Sequence, residues 1–141
     1  MDFIFTIPGK PQGKARARTV RNKYTGKVHS FTPEKTQSYE DLIRWCFKDA
    51  GGVYMQDKML DVYITAWFPI PKSFTKAKRQ EIYSSRLFPT TKPDCDNIIK
   101  VVLDALNGIA YEDDKQVVSL TFKKFYTATD PCITVGLRCY D

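Results

Sequence analysis

The segment Leu60-Asp61-Val62-Tyr63-Ile64-Thr65-Ala66-Trp67-Phe68 lies near the middle of the 141-residue chain and decides how the rest can fold. Its apolar residues recur at every second position, which predicts a β-strand. The intervening residues include a tyrosine and a tryptophan, so both faces of the strand are fairly apolar. A strand of this kind needs neighbours on both sides. We therefore expect it in the centre of a sheet.

Two further elements are predicted on the N-terminal side of this strand. Residues 2–8 alternate apolar with other side chains and predict another strand. Thr32 is a suitable N-cap and Pro33 a suitable first helical residue, while Gly51-Gly52 would end a helix. The sequence therefore predicts a strand followed by a helix before the central strand.

Two helices are predicted after the central strand. A short basic helix begins with Ser73 or Thr75 as its cap and continues to about Ser84. A second helix spans approximately Cys95 to Leu106 and ends at Asn107-Gly108, a dipeptide typical of helix C-termini.

The last two predicted elements are strands. Gln116 to Tyr126 and Cys132 to Tyr140 both alternate, and Thr129-Asp130-Pro131 between them favours a turn, so we expect a β-hairpin. The element order β-α-β-α-α-β-β predicts an α/β or α+β fold with helices packed against a mixed sheet. At this length we expect a single domain over residues 1–141.

Composition excludes several classes of protein. No apolar run is long enough to span a bilayer, and the N-terminus lacks the pattern of a secretory signal, so we expect a cytoplasmic protein without membrane contact. The four cysteines form no Cys-x-x-Cys pair, and the single histidine, His29, is far from them in sequence. We therefore expect reduced thiols and no zinc site.

Charge is distributed unevenly along the chain. Lysine and arginine outnumber aspartate and glutamate by 22 to 16, for a net charge of +6. Residues 9–32 form a predicted exposed loop or ribbon with basic side chains and no acidic one: Lys10, Lys14, Arg16, Arg18, Arg21, Lys23 and Lys27. In residues 94–114 the balance inverts, because six acidic side chains accompany one lysine: Asp94, Asp96, Asp104, Glu112, Asp113 and Asp114.

The acidic residues follow a helical spacing. Asp94 and Asp96 flank the start of the predicted helix, and Asp96, Lys100 and Asp104 recur at every fourth position along one polar stripe. The apolar side is predicted to be formed by Ile99, Val102, Leu103 and Leu106. A purely structural interpretation assigns helix capping to the aspartates and an ordinary ion pair to Lys100.

A metal site is the functional alternative. Neighbouring carboxylates raise each other's pKa unless a cation lies between them. Ligands that are all oxygen favour Mg²⁺ or Mn²⁺ over zinc. In a basic protein, such an ion suits a phosphodiester substrate, and Lys100 could stabilise the transition state or the leaving oxyanion.

Several motifs resemble the RusA family of Holliday junction resolvases. The family pattern is Asp-x-Asp-Asn, a lysine four residues on, Asp-Ala-Leu, and a closing Asp-Asp-x-Gln-Val. The matching stretches here are Lys92 to Lys100, Leu103 to Asn107, and Tyr111 to Val117. Gly9 to Arg18 is also similar to the family's Pro-x-x-Lys-x-Arg-x-Arg opening.

The resemblance implies a catalytic and metal-binding set. Asp94, Asp96 and Asp114 correspond to the metal-binding aspartates, with Mg²⁺ or Mn²⁺ as the ion, and Lys100 corresponds to the catalytic lysine. Asp113 is an alternative to Asp114, because the loop after Asp104 is about a residue shorter than in some relatives.

The resemblance also implies a substrate and an assembly. The family consists of homodimers, often encoded by prophages, that cut four-way DNA junctions with paired symmetric nicks and use no small-molecule cofactor besides the metal. We expect DNA contacts from basic residues of the N-terminal stretch and from the residue before the Pro93-Asp94 pair: Lys14, Arg16, Arg18, Arg21, Lys23 and Lys92. Where well-studied members carry an arginine-rich run, this chain has Thr90-Thr91-Lys92-Pro93.

Two rival functions remain open at this point. The first is a less selective nuclease that cuts flaps, replication forks or single strands. The second is a non-catalytic DNA-binding module in which the basic loop contacts phosphates and the acidic residues are structural. Salt dependence of binding and metal dependence of cleavage separate these hypotheses.

Overall fold

The computed structural model describes residues 2–15, 18–31 and 33–140, without the side chains of Arg18 and Phe31. The described residues form six strands: β1 Phe3–Pro8, β2 Arg18–Arg21, β3 Val28–Phe31, β4 Leu60–Pro69, β5 Val117–Thr127 and β6 Cys132–Cys139. They also form the α-helices α1 Glu34–Asp49, α2 Lys76–Tyr83 and α3 Cys95–Leu106, and a short 3-10 helix over Asp114–Gln116. The predicted α+β class with a mixed sheet is confirmed.

The main sheet has the strand order β1-β6-β4-β5. β4 pairs in parallel with β5 on one side and antiparallel with β6 on the other, and β1 pairs antiparallel with β6. The predicted central position of β4 is therefore confirmed. Its parallel partner β5 is reached through α2 and α3, as a parallel connection requires a long crossover.

The predicted hairpin between the last two strands is wrong. β4 lies between β5 and β6, and neither of these two strands pairs with the other. The four connecting residues 128–131 can extend about 13 Å, whereas two strand spacings measure about 9.6 Å. A connection this short can thus pass over the end of β4. This strand pairs with β5 on one side and with β6 on the other.

The basic N-terminal stretch forms an antiparallel two-stranded ribbon. β2 pairs with β3 from Arg18 opposite Phe31 to Arg21 opposite Val28. The turn is closed by Asn22, whose side-chain oxygen accepts hydrogen bonds from the backbone amides of Tyr24 and Thr25 at 2.8 and 3.1 Å. The prediction of an exposed loop or ribbon is confirmed for the two strands and their turn, whereas residues 11–14 are buried or partly buried.

The hydrophobic core lies between one face of the main sheet and the helices α1 and α3. Strand residues such as Phe5, Ile64 and Val135 are buried in it. The most buried residues of α3 are Ile98, Val101, Val102, Ala105 and Leu106, and each large one contributes roughly 1.5 to 3 kcal/mol by burial. The predicted apolar side of this helix was only partly right, because Ile99 and Leu103 are only partly buried.

The predicted start of α2 is confirmed, whereas Pro33 is the N-cap of α1 and not its first helical residue. α2 begins after Thr75, whose hydroxyl accepts a hydrogen bond from the Lys78 amide at 3.2 Å. α1 begins at Glu34 directly after Pro33, and the predicted cap Thr32 lies outside the described residues. Within the described ranges, none of the helices combines the length and the apolar character that a bilayer crossing demands.

Candidate active site

The N-terminus of α3 presents two free carboxylates. Asp94 occupies the N-cap position, but its side chain makes no capping hydrogen bond, and Asp96 lies in the first turn. Both residues are exposed, and within residues 2–15, 18–31 and 33–140 no hydrogen bond or ion pair engages their carboxylates. Capping, the structural explanation of this pair, is therefore absent, and the positive end of the helix dipole is left to offset their charge.

One turn further along α3, Lys100 forms the ion pair that the spacing predicted. Its ammonium lies 3.2 Å from Oδ1 of Asp104, and the lysine side chain is 61% exposed while that of Asp104 is 18% exposed. An i,i+4 pair of this kind contributes only a few tenths of a kcal/mol. Lys100 thus remains accessible on the same side of the helix as Asp96.

A second ammonium reaches Asp104 from the N-terminal loop. Nζ of Lys14 lies 3.4 Å from Oδ2 of Asp104 and 3.1 Å from Oε1 of Glu40 on α1. The loop carrying Lys14 is fastened to α3 by a hydrogen bond from the Lys14 amide to the Asn97 carbonyl, at 2.9 Å. Lys14, expected to contact DNA, therefore faces two carboxylates.

Sequence reasoning missed Glu40 as a member of this site. The signal was present, because Glu40 lies on the buried stripe of α1 between Thr36 and Ile43. A carboxylate on the buried side of a helix needs a cation or hydrogen-bond donors. That requirement pointed to a partner from another element.

The two adjacent aspartates before β5 have different surroundings. Asp113 caps the short 3-10 helix, since its carboxylate accepts a hydrogen bond from the Lys115 amide at 3.2 Å, and Gln116 completes a capping box. The Asp114 carboxylate makes no such bond to a described residue. Asp114 is thus the aspartate whose carboxylate is available.

Tyr111 connects these aspartates to α3. Its hydroxyl donates a 2.7 Å hydrogen bond to the Leu103 carbonyl. Burial raises the pKa of Tyr111 above its ordinary value, and the charges of Asp114, Asp104 and Asp113 raise it further. Asp114 and Asp104 therefore both lie close enough to act on the same buried hydroxyl.

A basic groove adjoins the N-terminus of α3. It has a volume of about 620 Å³ and lies between residues 10–15, the start of α1 and the Lys92-Pro93 pair. Three lysines line it, namely Lys10, Lys35 and Lys92. Lys92 and Pro93 of the groove immediately precede Asp94 in the chain, and an anionic chain could lie along the lysines.

Comparison with known proteins identifies the family. Residues 8–138 match the family described as endodeoxyribonuclease RusA. The chain belongs to the RusA endodeoxyribonuclease family. It is also similar to the uncharacterized protein YqaN of Bacillus subtilis (strain 168), with 36% identity over 142 residues that cover 98% of this chain and 97% of YqaN.

For a RusA-family endodeoxyribonuclease, the remaining predicted DNA contacts fall on the ribbon and the groove. Arg21 and Lys23 are exposed on the ribbon and Lys92 is exposed at the groove. Arg16 lies outside the described residues, and for Arg18 only the backbone, in β2, is described.

RusA nucleases depend on a metal, and the donor chemistry here fits a hard divalent ion. Asp94, Asp96 and Asp114 offer oxygen donors that are not used by described parts of the protein. In those same parts, however, no three acidic, histidine or cysteine side chains are drawn together closely enough to share one ion. Mg²⁺ keeps several waters and needs only one or two carboxylates from a protein, so such an ion does not require three acidic side chains.

Proposed function

We propose that this RusA-family enzyme is a Mg²⁺-dependent endonuclease that resolves four-way DNA junctions by paired, symmetric cleavage. The observation that carries the proposal is that Lys92 and Pro93, which line the groove, directly precede the free carboxylates at the start of α3, those of Asp94 and Asp96. The groove offers positive charge to a phosphodiester backbone. The carboxylates offer a place for the ion that such a backbone needs for hydrolysis.

We assign the metal to Asp94 and Asp96, and retain Asp114 as the remaining member of the predicted set, although the described residues bring no three such side chains together. A bound Mg²⁺ would supply a water of lowered pKa and charge neutralisation at the scissile phosphate. Asp114 is preferred over Asp113 because the Asp113 carboxylate caps a helix. Mn²⁺ has the same preference for oxygen ligands and is expected to substitute.

Lys100 is the proposed catalytic lysine. Its exposed ammonium lies one turn from Asp96 on the same face of α3. In that position it can donate hydrogen bonds to a phosphate oxygen as negative charge develops in the transition state. The ion pair with Asp104 keeps the side chain directed along this face.

DNA approaches through two basic surfaces in this proposal. Lys10, Lys35 and Lys92 of the groove hold the backbone that is cut, and Arg21 and Lys23 of the ribbon contact phosphates further away. Such contacts make binding strongly salt-dependent. Each lysine or arginine removed should reduce the salt slope by about one unit.

A homodimer accounts for paired cleavage. A four-way junction has two-fold symmetry, and two copies related by a two-fold axis place one site on each of two opposing strands. Measurement of the molar mass in solution tests this part of the proposal. A monomeric mass for the protein, both free and bound to a junction, would contradict it.

The deciding experiment compares junction cleavage by the wild type and by Asp96→Asn. Synthetic four-way junctions, flaps, single strands and linear duplex are incubated with Mg²⁺, and Asp49→Asn, an exposed aspartate at the end of α1, serves as the matched control. Asp96→Asn should abolish cutting and keep junction binding, because only the charge of the carboxylate is lost.

The outcomes separate the three hypotheses. Paired incisions restricted to the junction support resolution, whereas equal cutting of all DNAs supports a less selective nuclease. Metal-dependent cutting that survives Asp96→Asn would exclude Asp96 as a ligand. Salt-sensitive binding with no cleavage by the wild type would leave only the DNA-binding module.

A further inference from the structure

A chain of alternating charges crosses the interface of α1, the N-terminal loop and α3. Glu40 lies 3.1 Å from Nζ of Lys14, which lies 3.4 Å from Asp104, and Asp104 lies 3.2 Å from Nζ of Lys100. The side chain of Glu40 is 8% exposed, that of Asp104 18% and that of Lys14 23%. This series of charged side chains thus begins in the interior and ends at the accessible Lys100.

The buried end of this chain constrains the rest. A carboxylate as buried as Glu40 is costly unless a cation compensates it. Arg44 gives only a distant contact, at 3.9 Å, because its Nε donates to the Ala105 carbonyl at 3.0 Å. Lys14 is therefore the close cationic partner of Glu40 among the described residues.

The loop that carries Lys14 is itself held in place. The Lys14 amide donates to the Asn97 carbonyl at 2.9 Å, and the Ala15 amide donates to the Thr36 hydroxyl at 3.2 Å. These bonds tie the loop to α3 and α1 respectively. The Lys14 ammonium consequently has little freedom to leave the two carboxylates for a phosphate in the groove.

We propose that Glu40 and Lys14 are positioning residues that act on Lys100 through Asp104. Lys14 holds one oxygen of the Asp104 carboxylate, and the other oxygen then accepts from Lys100 in a single orientation. Without Lys14, Asp104 can rotate and Lys100 loses its fixed direction. The inference rests on the proposed function, because it takes Lys100 as the group that contacts the scissile phosphate.

Single-turnover cleavage and equilibrium binding of a four-way junction test the proposal together. Lys14→Met and Glu40→Gln should each slow cleavage about 10- to 100-fold, the range that a misplaced catalytic group produces. Junction affinity should change less than about threefold, since neither side chain binds phosphate in this scheme. The double variant should be no slower than the slower single variant, because both changes break one unit.

Lys10→Ala is the matched control. It removes the same charge from the same loop, but Lys10 lines the groove. It should weaken junction binding and reduce its salt dependence. A loss of binding in Lys10→Ala that is absent in Lys14→Met would distinguish phosphate binding by Lys10 from positioning by Lys14.

Three results would overturn the inference. Weaker binding with a normal rate in Lys14→Met would make Lys14 a phosphate contact. Loss of rate in proportion to loss of folded protein, measured by thermal unfolding, would make the network purely structural. If Lys14→Met does not fold because it leaves the buried Glu40 carboxylate without its close cation, Glu40→Gln decides alone. Absence of cleavage by the wild type would instead reject the proposed function, and the inference with it.

Discussion

Gly13→Ala tests whether the N-terminal loop is packed against α3 as described. A methyl carbon added to Gly13 would lie 2.8 Å from the β-carbon of Asn97 and 3.0 Å from that of Pro93. Carbon atoms in contact prefer about 3.5 to 4.0 Å, so the loop must retreat by roughly half an ångström or more. Both neighbours are β-carbons fixed to the backbone and cannot rotate away.

The expected cost follows from that overlap. Overpacking of this kind costs about 1 to 3 kcal/mol. The retreat also weakens the hydrogen bond from the Lys14 amide to the Asn97 carbonyl, now 2.9 Å long. For a chain of this size we expect the unfolding midpoint to fall by roughly 3 to 10 °C. Junction cleavage should fall as well, because Lys14 moves away from Asp104.

Gly136→Ala provides a control with the same chemical change. Its added methyl would lie 3.4 Å from Cδ2 of Tyr63 and 3.8 Å from Cγ1 of Ile4, which is ordinary contact. Since glycine inside a strand is unfavourable, this variant should be neutral or more stable by up to about 1 kcal/mol. Thermal and urea unfolding measure both variants. If Gly13→Ala were as stable and active as Gly136→Ala, the described packing of the loop on α3 would be incorrect.

Three further predictions concern single side chains. Asp114→Asn should abolish cleavage without loss of stability, whereas Asp113→Ala should lose about 1 kcal/mol through its cap and still cut; the reverse result would exchange their roles. The Tyr63 hydroxyl, then Ser119 and Arg138, lower the pKa of Asp61 against the effect of its burial. Stability from Asp61 is thus present above its unfolded pKa and lost as pH falls, so Tyr63→Phe should move acid unfolding, followed by circular dichroism, to higher pH; an unchanged midpoint would contradict this. Burial raises the pKa of Tyr39 to about 12 despite the opposing Gln12 backbone. Because this folded-state pKa exceeds the unfolded value of 10.0, stability is lost as pH rises from 10 to 12, and Tyr39→Phe should reduce that loss in alkaline urea titrations; equal losses in both proteins would refute it.

Local patterns predicted the elements but not their pairing. The alternation in β4 indicated a central strand because both faces of the segment are apolar, and Gly108, with φ of +78°, ends α3 as its sequence suggested. The pairing of β5 and β6 was mispredicted because a short connection between alternating segments is usually a hairpin. Which strands lie next to each other in the sheet depends on pairing with β4, a strand distant in sequence. A pattern within a short segment does not contain that information.

The candidate site was predictable to the extent that it lies on one helix. The spacing of Asp96, Lys100 and Asp104 is a property of α3 alone, and the predicted ion pair between the last two is present. The ion pairs of Lys14 are not local, since its partners lie 26 and 90 residues away in sequence. Charge counting assigned Lys14 to DNA together with its basic neighbours. The structure changes the role of Lys14, because the buried carboxylate of Glu40 needs a cation close by and Lys14 supplies it.

The strand order links the candidate site to β6, a strand that supplies none of its side chains. Lys14 follows β1, whereas Asp104 lies in the crossover between β4 and β5. β1 has no contact with β4 in the sheet and is joined to it through β6. The last strand of the chain contributes no carboxylate or lysine to the site. Since β1 pairs with β6 along its full length, the place in the sheet of the strand that precedes Lys14 nevertheless depends on this last strand.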